Sequence, residues 1–469
     1  ESVHFFHAYK QKVDYVFADH ACFLERVDAK SGSKLYGPEW GKDFADNQAR
    51  YAYFCKAACL AIKDLPLGGA VYGDKVMVVA NDWHTALVPM FIDAERQANA
   101  SEWKHTKTAF LCHNAVFQGR FVYEEGIAEV LGVPQQYVDS ITFNMPLKVG
   151  KYNEKVKCFN TMAAGLRYSD RVLTVSPSYA KECTIDPEKG VELEELFALG
   201  RCTGILNGVK EGVSPSDKNF VTKTKMNCGP FTLENFATAK AQLKAIYRQE
   251  SGLPETDAPM LCFIGRLDAQ KGYDLLLEAL VEVLEDTDIQ VVIVGAGRAD
   301  LVQQTKAVEA KFPSKLFYAG WMGPERYAML AGCDYTLLPS RWEPCGLVQM
   351  EAMRLGTLPI VAPTGGLKDT VEDGVNGLWC DAEMAVEADL DEESVASIGR
   401  ALKRAALLHK TSPEKELRMM QAAMVAAGEF TWSNAALQYE AVFEELGVSC
   451  VLAESGETSV TLETDKQVC

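Results

Sequence analysis

From Lys75 onward the chain alternates short apolar, β-rich runs with helical patterns, and that alternation leaves few folds open. The runs are KVMVVA (75–80), KTAFLC (107–112), RVLTVS (171–176), MLCFIG (260–265), IQVVIVG (289–295), DYTLLP (334–339) and LPIVA (358–362). Each is continuously apolar rather than alternating, the pattern of strands buried on both faces of a parallel sheet. Between them, Tyr273–Leu284 carries Leu276, Leu277, Leu280, Val281 and Leu284 along one helical face. The runs fall into two groups, separated by a polar stretch from Gly208 to Pro259 that is basic over Lys218–Lys225 and helical in pattern over Leu233–Arg248. The economical architecture is α/β, with two doubly wound domains. Ligands of such folds sit beyond the carboxyl ends of the strands, so chemistry is sought just after each run.

Composition narrows the partners. The chain has 469 residues and a formal charge of −18, which argues against a nucleic-acid backbone or an anionic membrane as the main partner. Any anionic ligand must be met by a local basic cluster working against the global field. No run approaches the roughly 20 apolar residues that cross a bilayer. The 14 cysteines are dispersed without a CxxC pair, and read as buried thiols of a reducing compartment. Cys55 and Cys59 fit one apolar helical face.

The ends and one loop read differently. HFFHAYKQKVDYVFADH has the alternation of a β-hairpin turning at Lys10–Lys12. A doubly wound domain ordinarily opens on a central strand and a glycine-rich turn, neither of which is here, so its native start is expected upstream of Glu1. Asp381–Glu393 holds seven acidic residues and no basic one, the composition of a solvated loop. Val448–Cys469 has little periodicity and reads as a mobile tail.

Three strand ends carry the candidate chemistry of the second group. MLCFI runs into Gly265-Arg266-Leu267-Asp268-Ala269-Gln270-Lys271-Gly272, where Arg266 and Lys271 can aim a fork and a point charge at a diphosphate. DYTLLP runs into Ser340-Arg341-Trp342-Glu343-Pro344-Cys345-Gly346-Leu347-Val348-Gln349-Met350-Glu351. Pro344 is expected in the first turn of a helix, whose amino end near Cys345–Val348 suits an anion. Glu343 stands just ahead, and Glu351 follows about two turns later. LPIVA runs into Pro363-Thr364-Gly365-Gly366, where paired glycines admit close backbone approach. Taken singly, the basic loop reads equally as ordinary surface charge, Glu343 as a capping carboxylate and the glycines as a tight turn. Gly295-Ala296-Gly297 lacks the third glycine of a dinucleotide fingerprint, and no GxxxxGK[ST] exists. In the first group, Asp82, His84 and His113 stand at strand ends, with core or capping roles equally open. No HExxH or other zinc spacing occurs.

Jointly, these stretches resemble the starch and glycogen synthases, and most closely the granule-bound starch synthases. The stretches are HFFHAYKQKVDYVFADHACFLE, NDWH, HNAVFQGRF, VLTVSPSYAKE, GILNGV, FIGRLDAQKG, LLPSRWEPCGLVQMEAMRLGTLPIVAPTGGLKDTV and FTWSNAALQYEAVF. The resemblance implies a GT-B architecture, two Rossmann-like domains facing across a cleft. Residues 1–206 would form the N-terminal, acceptor-side domain and 207–427 the nucleotide-sugar domain. Residues 428–447 would be a helix packing back on the N-terminal domain, and 448–469 a tail. It also implies retaining transfer of glucose from ADP-glucose to the non-reducing end of an α-1,4-glucan, without metal or cofactor. Catalytic roles fall on Glu343, Arg266, Lys271 and His113. Substrate-binding roles fall on Asp82, His84, Asn207, Trp321, Cys345, Gly346, Leu347, Gln349, Thr364, Gly365 and Gly366; Trp321 falls where relatives stack an aromatic on adenine. The implied partners are ADP-glucose and the α-1,4-glucan of a starch granule, with no nucleic acid and no membrane. The implied home is a plastid, or the cytoplasm if the owner is prokaryotic.

Three departures qualify the resemblance. The family's Lys-Thr-Gly-Gly-Leu donor loop is not found in these residues, which predicts a weak or inactive catalyst and keeps a non-catalytic glucan-binding protein as the alternative. A bacterial-type glycogen synthase is the other alternative. Glu351 stands where plant relatives often differ, and Gly320 precedes Trp321 where a basic residue is common.

Overall fold

The structure, a computed structural model, describes residues 2–24, 37, 44–146, 155–386, 390–448 and 464–467. It divides into two compact units. The first comprises Glu1–Thr174, Lys181–Thr203 and Tyr439–Cys469; the second comprises Val175–Ala180 and Gly204–Gln438.

The first unit opens on a hairpin of β1 (Ser2–Lys10) and β2 (Val13–Asp19). Gln11 and Lys12 turn it with φ of 53° and 62°, the left-handed pair that matches strand twist in a two-residue loop. The inner face places Val3 and Phe5 on Ala57 and Leu65, at and just beyond the helix Asn47–Asp64. In the main sheet β3 (Met77–Asn81), β4 (Lys107–Cys112) and β8 (Arg171–Thr174) run parallel, and β9 (Thr203–Gly204) lies at the edge, in the order β3-β4-β8-β9. Helices Leu87–Ala98 and Thr161–Tyr168 bury their apolar faces in this unit. A small antiparallel sheet of β5 (Arg120–Val122), β6 (Thr142–Pro146) and β7 (Lys155–Asn160) has β7 in the middle. These three strands escape the sequence reading because they are short and interleaved with polar residues.

The second unit is built on β10 (Met260–Ile264), β11 (Gln290–Val294), β12 (Leu316–Gly320), β13 (Tyr335–Leu338), β14 (Leu358–Val361) and β15 (Leu378–Trp379). All pair in parallel, in the order β12-β11-β10-β13-β14-β15. β10 through β14 are wholly apolar or nearly so because helices such as Tyr273–Asp286 and Glu392–Thr411 cover the sheet. The strand order reverses between β10 and β13, a topological switch point where loops diverge and leave a crevice.

One expectation is corrected. The tail is not wholly without structure, since β16 (Thr464–Gln467) pairs antiparallel with β1. Residues 449–463 and 468–469 of that tail lie outside the described residues. The acidic segment is exposed at Asp381, Glu383, Glu392 and Glu393, as its composition predicts, and its carboxylates are engaged at the surface. Arg400 pairs with Asp381 at 2.7 Å and with Glu393 at 2.5 Å, and Asp391 caps the helix Glu392–Thr411. Residues 387–389 of that segment lie outside the described residues. Cys55, Cys59, Cys112, Cys158, Cys183, Cys262, Cys333, Cys345 and Cys380 are buried, as the dispersed pattern predicts. Among the described residues no helix is long and apolar enough to cross a membrane.

Candidate active site

In the second unit, the loops after β10 and β13 emerge side by side at the switch point. Lys271 Nζ meets Glu343 Oε2 at 2.5 Å, so residues 72 apart in sequence form one ion pair. Glu343 is buried, and Ser340 Oγ also donates to its Oε2, at 3.1 Å. Asp268 Oδ1 accepts the Lys271 amide at 3.1 Å, and Gly272 then opens the helix Tyr273–Asp286 with φ of 60°. A Cβ at Gly272 would lie 1.8 Å from the Pro339 carbonyl oxygen, so only glycine lets the two loops approach this closely. Arg266 does not touch Glu343. Its guanidinium is held within its own loop, by Gln270 Oε1 at 2.6 Å and Asp268 at 3.1 Å, and stays partly exposed.

The structure corrects the helix start. Pro344 precedes the helix, which spans Leu347–Arg354, because Gly346 at φ of 84° turns the chain before the first helical residue. The first intrahelical bond runs from Met350 N to Gly346 O, leaving the amides of Leu347, Val348 and Gln349 ahead of it. The next loop is stitched to this one: Gly366 N donates to Glu343 O at 2.9 Å, and Thr364 is fully buried. Cys345 is buried, which pushes its thiol up to about 12, with a backbone hydrogen bond from Asn207 opposing the shift. Asn207 Oδ1 and Gln349 Oε1 are buried with no hydrogen-bond partner, while Gln349 Nε2 donates to Thr370 Oγ1. Buried acceptors of that kind call for an explanation, and a ligand hydroxyl is one that fits Asn207. Trp321, just past β12, is 79% exposed, an apolar ring available for stacking. Glu351 accepts the Tyr327 hydroxyl at 2.7 Å, and burial raises its pKa.

Sequence reasoning missed how Gly295-Ala296-Gly297 works. A Cβ on Gly295 would fall 1.9 Å from Gly265 O, so this motif packs the loop after β11 against the loop that carries Arg266. It also passed over Arg341, whose buried guanidinium the residue type alone does not announce.

In the first unit, Asp82 follows β3 at φ of 55°, an uncommon conformation for a residue with a side chain. Its carboxylate accepts the His113 amide at 2.8 Å, which helps hold that turn, and burial raises its pKa. His113 Nε2 lies 3.1 Å from Asn81 Oδ1. His84 packs against Trp83 with ring centroids 4.1 Å apart and planes tilted by 32°, and meets Tyr51 edge-on at 5.0 Å. Burial lowers the His84 pKa from 6.5 to about 4. Between those values the unfolded chain binds the extra proton, so the stability His84 contributes is complete above pH 6.5 and is lost as pH falls toward 4. A His84→Phe variant is therefore expected to lose melting temperature less steeply than the parent across that acid window. Equal slopes in scanning calorimetry would refute the assignment.

Comparison with known proteins places this geometry. Residues 1–198 match the family described as starch synthase catalytic domain, and residues 244–396 match glycosyl transferases group 1. Granule-bound starch synthase 1 of Manihot esculenta is 39% identical over 459 residues, covering 96% of this chain and 72% of that protein. Its counterpart from Pisum sativum is 36% identical, covering 96% and 73%.

The chain belongs to the starch synthase family.

The solved catalytic domain of starch synthase IV from Arabidopsis thaliana, bound to ADP and acarbose, shares the fold at a TM-score of 0.71 and 24% identity, covering 94% of this chain and 87% of that one. The fold is thus GT-B, and the chain is a glycosyltransferase of starch biosynthesis. Among the described residues no group of three or more His, Cys, Asp or Glu is placed to hold a metal ion.

Proposed function

We propose that this chain transfers glucose from ADP-glucose to the non-reducing end of an α-1,4-glucan, with retention at the anomeric carbon. The observation that carries the reading is the Lys271–Glu343 pair at the switch point of the second unit. A diphosphate leaving group needs fixed cations, and an oxocarbenium-like carbon needs a nearby carboxylate. Lys271 and Arg266 take the first role and Glu343 the second. The amides near Gly346 and Leu347 meet the distal phosphate, Trp321 stacks on the base, and Asn207 accepts from a sugar hydroxyl. The departing phosphate oxygen can take the acceptor's proton, so the scheme calls for neither a protein nucleophile nor a metal. Relatives named as chloroplastic or amyloplastic and granule-bound support a plastid, at the starch granule, as the setting.

The test supplies maltooligosaccharide with labelled ADP-glucose or UDP-glucose in separate reactions. Chain elongation with ADP-glucose at least about tenfold faster is the expected result, a preference worth about 1.4 kcal/mol. No elongation from either donor would overturn the reading.

A further inference from the structure

We infer that Arg341 is a positioning residue for Lys271, an inference that rests on the reading of Lys271 as the diphosphate clamp. Arg341 is 2% exposed, and its bonds fall on both sides of Lys271 in sequence. Its amide donates to Gln270 O at 3.0 Å, and Nη1 donates to Ala269 O at 2.7 Å. On the other side, Nη1 and Nη2 fork onto the Asp274 carboxylate at 2.6 and 2.9 Å, in the first turn of Tyr273–Asp286. Nε donates to Ala385 O at 2.9 Å, fixing the guanidinium from a third direction.

Arg341 also lies two residues before Glu343, in the short segment where Ser340 donates to the Glu343 carboxylate. One rigid plane therefore sets both partners of the Lys271–Glu343 pair. A lysine at 341 carries no planar fork and cannot reproduce this set of bonds. Misplacement of a reacting group by about 1 Å can cost roughly 10²-fold in rate. Arg341 touches no reacting atom; it acts through the loop that carries Lys271.

The experiment compares Arg341→Lys, Lys271→Ala and the double variant by steady-state kinetics with ADP-glucose, with thermal melts to confirm folding. Arg341→Lys is expected to lower kcat about 10- to 100-fold while the KM for glucan stays within about twofold. The double variant is expected to match Lys271→Ala within about twofold, since two residues acting as one unit are not additive. Asp274→Asn, which keeps the side-chain shape, provides a milder second variant and is expected to lower kcat with the same non-additivity. A folded Arg341→Lys or Asp274→Asn chain with unchanged kcat, or losses that multiply in the double variant, would overturn the inference alone. A parent chain without turnover would overturn the functional reading and this inference with it.

Discussion

Glu343→Gln is expected to lower kcat by roughly 10²–10³-fold while ADP binding stays within a few-fold of the parent. The amide keeps the size of the side chain and can still accept from Ser340, which donates to Oε2 at 3.1 Å. What it removes is the negative charge, set in a largely buried position where water screens it weakly. On the proposed scheme a carboxylate in that position stabilises developing positive charge on the sugar, so the loss would belong to the transition state and appear in kcat. Nucleotide affinity behaves differently. Lys271 is engaged by Glu343 at 2.5 Å, and the neutral amide leaves its charge available to phosphate. Titration calorimetry with ADP beside turnover measurements separates the two effects. Near-parental turnover would remove Glu343 from the mechanism.

Lys271→Ala is expected to weaken donor affinity about tenfold and to reduce kcat roughly 10²-fold, read as ADP release. Both parameters move on the proposed scheme, in which the ammonium meets phosphate in the ground state and meets more charge as the bond to the sugar breaks. The variant also leaves Glu343 buried without its cation, which costs stability of roughly 1–3 kcal/mol. A thermal melt reports that cost separately from the kinetics. Loss of affinity with unchanged kcat would make Lys271 a binding residue only.

Much of the fold is legible in the sequence because parallel strands buried on both faces must be continuously apolar. KTAFLC coincides with β4, and MLCFI with β10. LFYAG, which forms β12, is brief and ends at Gly320, so it carries too little pattern to stand out. The site is legible in part. Sequence places Lys271 and Glu343 after separate strands, but their contact depends on β13 returning beside β10, past β11 and β12. That adjacency is a property of topology, which local pattern does not encode. The start of the helix at Leu347 turned on the left-handed backbone of Gly346, a stronger local constraint than the preference of Pro344 for a first helical turn. Arg341 was hidden because arginine is ordinarily read as surface, and the carbonyls of Ala269 and Ala385 and the Asp274 carboxylate help make its burial tolerable.

The most direct measurement is a crystal of this chain soaked with ADP. A diphosphate beside Arg266 and Lys271, near the amides that open the helix at Leu347, is the expected result. Nucleotide bound away from the loops after β10 and β13 would contradict it.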